Sequence, residues 1–103
     1  MISLLEHWGF QVAAAATNFQ SAVHYLESQR FDIVLSDIGL PDGTGFAVME
    51  HAKRHQPGII GIAISAFHSP LELQLGERVG FDHFMPKPVD VQRLHAILDR
   101  AAA

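Results

Sequence analysis

The chain has 103 residues, 49% of them hydrophobic and 17% charged, and it contains no cysteine. Such a length holds one domain with a modest core; the apolar fraction excludes a disordered chain, and the lack of thiols excludes disulfides, thiolate zinc sites and cysteine nucleophiles. Seven Lys and Arg against eleven Asp and Glu give a net charge of −4, and the basic residues are scattered, so no nucleic-acid partner is expected.

Residues 1–8 carry Ile2, Leu4, Leu5 and Trp8, which reads as the last two turns of an amphipathic helix stopped by Gly9. Residues 10–16 are a short apolar run expected as a strand. Asn18 can cap a helix to about Gln29, with Phe19, Ala22, Val23 and Leu26 on one face. The run FDIVLS (31–36) predicts a strand that stops at Asp37, and the Gly/Pro loop DIGLPDGTG (37–45) leads to a helix over 46–55. Pro57 and Gly58 introduce IIGIAIS (59–65), the most apolar run. Near-continuous hydrophobicity is what a strand buried on both faces needs, so the sheet is expected to be parallel. Ser69 and Pro70 start a helix to about Val79, residues 81–85 form a short strand, and residues 88–102 hold a last helix with Val89, Val91, Leu94, Ile97 and Leu98. No apolar run approaches the roughly 18–20 residues of a bilayer span, so no membrane partner and a cytoplasmic location are expected. Helices and strands alternate as in a doubly wound α/β domain, with ligands at the carboxyl ends of the strands. The order begins on a helix, where this class normally begins on a strand.

Asp37, Ser65 and Lys87 end three successive strands and so share one rim. A carboxylate, a hydroxyl and an ammonium converging there suit phosphoryl chemistry: the carboxylate as nucleophile, the other two neutralising phosphoryl oxygens. A lone aspartate after a strand is more often a cap or turn residue. Three rim residues in register argue for a site.

On these residues the chain resembles, over essentially its whole length, the receiver domain of bacterial two-component response regulators. DIVLSDIGLPDGTG (32–45) resembles the phosphoacceptor strand and its loop, IAISA (62–66) the strand with a hydroxyl residue before a small one, and FMPKP (84–88) the lysine strand. The resemblance implies a flavodoxin-like doubly wound parallel sheet of the receiver type. It implies Asp37 as phosphoacceptor and Mg2+ ligand, and Gly39 as the donor of a backbone carbonyl to Mg2+. Ser65 and Ala66 would shape the phosphoryl site, Lys87 would pair with the phosphoaspartate, and Phe84 would be the aromatic switch. A cis peptide between Lys87 and Pro88 is implied as well. The implied partner is a histidine kinase or phosphotransfer protein, and phosphorylation would repack the face made by the last strand and the last two helices.

The family opens with a strand ending in two acidic residues that hold the Mg2+. Here residues 1–8 correspond to the second half of the family's first helix, so that strand and its acidic pair would precede residue 1. The expectation is a Mg2+ site weakened to one carboxylate. It is also a sheet lacking its first strand, with a gap of roughly 9–10 Å between residues 10–16 and 31–36. Either the 10–16 segment slides across to pair with 31–36, or a second copy swaps elements in. A homodimer or larger assembly is therefore expected.

Seven histidines are the unusual feature; protonating all of them would turn −4 into +3. His51 and His55 stand at i, i+4 beside Glu50, a spacing that can chelate Zn2+ or Mn2+. His68 follows Ser65 near the rim and is a further candidate ligand. The plain alternatives are a solvated helix face and an ordinary loop residue. His7, His24 and His95 are expected on helix surfaces, and His83 at the start of the last strand. Three readings follow: a phosphoacceptor signalling domain, an oligomeric metal-dependent phosphoester hydrolase, or an inert dimerisation fragment.

Overall fold

A computed structural model describes residues 2–12, 14–66 and 69–102. In chain order the elements are α1 (Ile2–His7), α2 (Phe19–Ser28), β1 (Ile33–Asp37), β2 (Gly39–Leu40), β3 (Gly43–Thr44), α3 (Gly45–His55), β4 (Ile60–Ser65), α4 (Pro70–Val79), β5 (Phe81–Pro86) and α5 (Val91–Ala102). The main sheet has the order β1-β4-β5 and is parallel throughout. Its central strand is β4, the run of near-continuous hydrophobicity, and every residue of it after Ile60 is buried.

Alternation along the strands divides the core in two. Val34 and Ala63 face a cluster with Leu26, Val48, Met49, Ala52 and Phe81, fed by α2 and α3. Ile33, Leu35 and Ile62 face Met85, Leu94, Ile97 and Leu98, covered by α5 and by Leu5 and Trp8 of the N-terminal segment. Met49, Ile62, Met85 and Leu94 are fully buried, each stabilising the fold by about 1.5–3 kcal/mol relative to exposure.

The helix ends follow local chemistry. Gly9 adopts a left-handed φ of 91° and donates to the Glu6 carbonyl, closing α1. Asn18 accepts from the Ser21 N–H at the start of α2. Ser69 and Glu72 form a reciprocal capping box at the start of α4, with Pro70 at the first helical position. Among the described residues no helix is long and apolar enough to cross a membrane.

Two expectations need correction. The segment expected as a strand over residues 10–16 contains none among its described residues. Its described residues do not pair with β1, and Phe10 instead packs with Leu5 and Trp8 on the α5 side of the sheet. Four consecutive alanines (13–16) favour a strand weakly, and no ladder holds the described ones, 14–16. The outer edge of β1 therefore carries no strand among the described residues, and Ile33, Val34 and Leu35 are only partly buried. The second correction concerns the loop after Asp37, which folds into the small antiparallel ladder β2–β3.

Candidate functional site

The register sets the rim. Asp37 pairs with Ile64, and Ser65 with Pro86, so β1, β4 and β5 end nearly level. The chain is then tied across the ends: Ile38 N–H donates to the Ile64 carbonyl at 3.2 Å, and Lys87 N–H to the Ser65 carbonyl at 2.8 Å. The Lys87–Pro88 peptide is cis. From that position the Lys87 side chain reaches back so that Nζ lies 2.7 Å from Asp37 Oδ1. Asp37 and Lys87 are both about half exposed, open to an incoming group, while Ser65 is 9% exposed. Ala66, after Ser65, is exposed.

Behind Asp37 the backbone is crowded. Gly45 donates to the Ile38 carbonyl at 2.8 Å, and a Cβ at position 45 would be driven into the backbone carbonyl of Asp37. Only glycine lets α3 start this close to the strand end. Thr44 caps α3 by accepting from the Ala47 N–H.

Gly39 opens β2, two residues beyond Asp37. The protein oxygens expected for Mg2+ are thus one carboxylate and one carbonyl from adjoining positions. That donor set suits a hard cation, which needs water and phosphate oxygens to complete its shell. Asp42 and Asp82 are engaged elsewhere. Asp42 accepts from the Phe19 and Gln20 N–H groups at 2.6 and 3.2 Å, and the Phe19 bond chiefly holds its carboxyl below the ordinary value. Asp82 accepts from Gly61 N–H at 2.9 Å, at the opposite end of the sheet.

Phe84 is half-buried on β5. Its ring meets Phe81 edge-on at 6.4 Å and lies where a Cβ on Gly76 of α4 would come within 3.0 Å of it. The expected switch ring is therefore turned inward, under α4.

His51 and His55 do not join the rim. α3 starts against Asp37, and at 1.5 Å rise per residue His51 and His55 lie about 9 and 15 Å along its axis from Gly45. His51 Nε2 lies 3.0 Å from Glu27 Oε1 on α2, and the two imidazole centroids are 4.5 Å apart. Glu50, expected beside them, instead meets Arg54 at 3.3 Å, since successive helical residues do not face each other. The carboxylate that sequence reasoning missed is Glu27, for which a separation of 24 residues gives no local signal. His95 is not a plain surface residue: its ring stacks on Trp8 at 4.2 Å and 2°. His7, His24, His55 and His83 are exposed, and His68 lies outside the described residues.

A parallel sheet between helices, with aspartate, serine and lysine at its carboxyl rim, is the arrangement of a response-regulator receiver. The family model for the response regulator receiver domain matches residues 1–99, and the chain belongs to that family. The transcriptional regulatory protein ZraR of Escherichia coli is 31% identical over 101 residues, which are 98% of this chain and 23% of that protein. The chain thus spans about a quarter of that relative's length. A CheY-like response regulator receiver domain protein from Methanospirillum hungatei is 28% identical, with a TM-score of 0.85 over 98% of this chain and 81% of its own. The receiver domain of a sensor histidine kinase from Pseudomonas aeruginosa shares the fold, at 24% identity and a TM-score of 0.84 over 99% of this chain and 85% of its own. That structure holds a magnesium ion in its active site cleft. The fold of this chain is the CheY-like receiver fold.

Proposed function

We propose that this receiver domain takes a phosphoryl group on Asp37 from a histidine kinase or phosphotransfer protein. The observation that supports this most directly is the 2.7 Å contact between Lys87 Nζ and Asp37 Oδ1, on a rim shared with Ser65. A free Asp37 oxygen attacks the phosphorus of a phosphohistidine, the P–N bond breaks, and the imidazole leaves with a proton from water. Lys87 then balances charge on the phosphoryl oxygens, and Ser65 contributes a hydroxyl. Mg2+, held by the Asp37 carboxylate and the Gly39 carbonyl, would supply further charge neutralisation. Phe84, packed inward, would carry the signal towards α4 and α5.

For a polypeptide of these 103 residues, we expect slow phosphorylation, because one carboxylate and one carbonyl hold Mg2+ weakly. A phosphoester hydrolase built from His51, His55 and this rim would need both groups at one place, and the length of α3 separates them.

The test is intact-mass spectrometry after incubation with acetyl phosphate and Mg2+. One phosphoryl adduct is expected on the wild type and none on Asp37→Asn. An unmodified wild type, or an adduct that survives in Asp37→Asn, overturns the assignment.

A further inference from the structure

The second half of α3 carries ligating atoms that phosphoacceptor chemistry does not use. His51 and His55 stand one turn apart, with ring centroids separated by 4.5 Å and planes inclined by 41°. Glu27, in the last turn of α2, places Oε1 3.0 Å from His51 Nε2. One ligand atom from each of the three residues lies within 4.8 Å of the others. Among the described residues no other group of three or more His, Asp or Glu gathers in this way.

We propose that Glu27, His51 and His55 form a binding site for a divalent transition-metal ion, with Zn2+ as the ion it suits best. Two imidazoles and one carboxylate are a zinc donor set, and three protein ligands leave the fourth tetrahedral position to water. A zinc ion about 2.0–2.1 Å from each donor sets the donors roughly 3.3 Å apart. Closing the present 4.8 Å spacing to that value calls for movement of Glu27 and His55, and both side chains are exposed rather than packed in the core. Two ligands share one rigid helix and His51 is already held against Glu27, so little ordering remains to oppose binding. Because the third ligand comes from α2, the ion cross-links α2 to α3. Mg2+ is disfavoured, since it prefers an octahedral shell of oxygens. The site lies away from the Asp37 rim and does not rest on the phosphoacceptor reading.

Equilibrium dialysis of the whole chain against Zn2+, with Mg2+ in excess, tests the assignment when bound metal is counted by elemental analysis. One zinc per chain is expected. Glu27→Gln, His51→Ala and His55→Ala should each weaken it by at least the roughly 10–100-fold that loss of an outer-shell partner costs a metal site. Asp37→Asn should bind zinc as the wild type does, which separates this result from any failure of phosphorylation. Circular dichroism checks that the variants fold, and imidazole resonances of His51 and His55 should shift with zinc in the wild type itself. No retained zinc would leave Glu27 and His51 as a side-chain contact only. Zinc retained equally by His51→Ala and His55→Ala would place the ion on other histidines. Either result overturns the proposal.

Discussion

The Lys87 ammonium meets Asp37 Oδ1 at 2.7 Å from the far side of the sheet: Asp37 ends β1, Lys87 follows β5, and β4 lies between them. With side chains 46% and 50% exposed, the pair is solvent-screened and contributes at most about 1 kcal/mol to stability. Its value lies in charge placed where phosphoryl oxygens would arrive. Lys87→Ala is therefore expected to shift the unfolding free energy by less than about 1 kcal/mol in a urea titration. Phosphorylation of Asp37 should slow on the order of 100-fold, as on losing one oxyanion donor. A strongly destabilised variant that is phosphorylated normally would make Lys87 a structural residue.

Gly45 fixes the other side of Asp37. On propensity alone, alanine in a helix is better than glycine by about 1 kcal/mol. Against that, its Cβ meets the Asp37 carbonyl, a backbone atom with no room to retreat. Overpacking of this kind costs about 1–3 kcal/mol, so the clash wins. Gly45→Ala should lower the denaturant midpoint and slow phosphorylation, because the strand end carrying Asp37 must move. A stabilised variant would show that the propensity term dominates.

Much of this architecture is legible in the sequence because its signals are local. IIGIAIS is apolar without interruption, and only a strand covered on both faces tolerates that. Asp37, Ser65 and Lys87 each stand at the end of a strand expected from the sequence, so their common rim follows from parallel order alone. What the sequence does not reveal depends on partners distant along the chain. Residues 10–16 are apolar enough for a strand, but a strand exists only with a ladder, and none of the described residues supplies one. Glu27 meets His51 across 24 residues, and Gln56 reaches Leu26 across 30. Glu50 is a different case, since helical geometry alone turns it away from His51.

Gln56 is 6% exposed and satisfies three backbone groups at once. Its amide donates to the Leu26 and Gln29 carbonyls at 3.1 and 2.7 Å, and its Oε1 accepts from the Phe31 N–H at 2.8 Å. It thus joins the end of α3 to the connection between α2 and β1. Gln56→Met keeps the volume and removes the partner of each group; with the Leu26 bond buried and the other two part-buried, it should cost about 1–3 kcal/mol. The check is a urea titration, and a loss below about 0.5 kcal/mol would mean that water replaces the amide.

The outer edge of β1 has no ladder partner among the described residues, and Ile33, Val34 and Leu35 there are only partly buried. An open, aliphatic edge templates pairing with another strand. In a solution of these 103 residues alone, the available strand is that of a second copy. Light scattering should give a mass that rises towards the dimer with concentration. A monomer at every concentration would show that the edge is protected.

Asp42 links the loop beyond Asp37 to the start of α2. Its carboxylate accepts from the Phe19 and Gln20 N–H groups, which also lie at the positive end of the helix dipole. These bonds, Phe19's foremost, lower its pKa from the ordinary 3.8, with desolvation opposing them. A carboxyl group whose pKa is lower folded than unfolded binds protons more readily in the unfolded chain. Its stabilisation is thus complete above the unfolded value of 3.8. It is lost as pH falls through the still lower folded value. Asp42→Asn cannot titrate, so the gap in melting temperature between wild type and variant should be constant above pH 3.8 and close below it. Parallel profiles through that range would mean that the N–H groups bind the neutral acid equally well, and that the charge at the helix end contributes nothing.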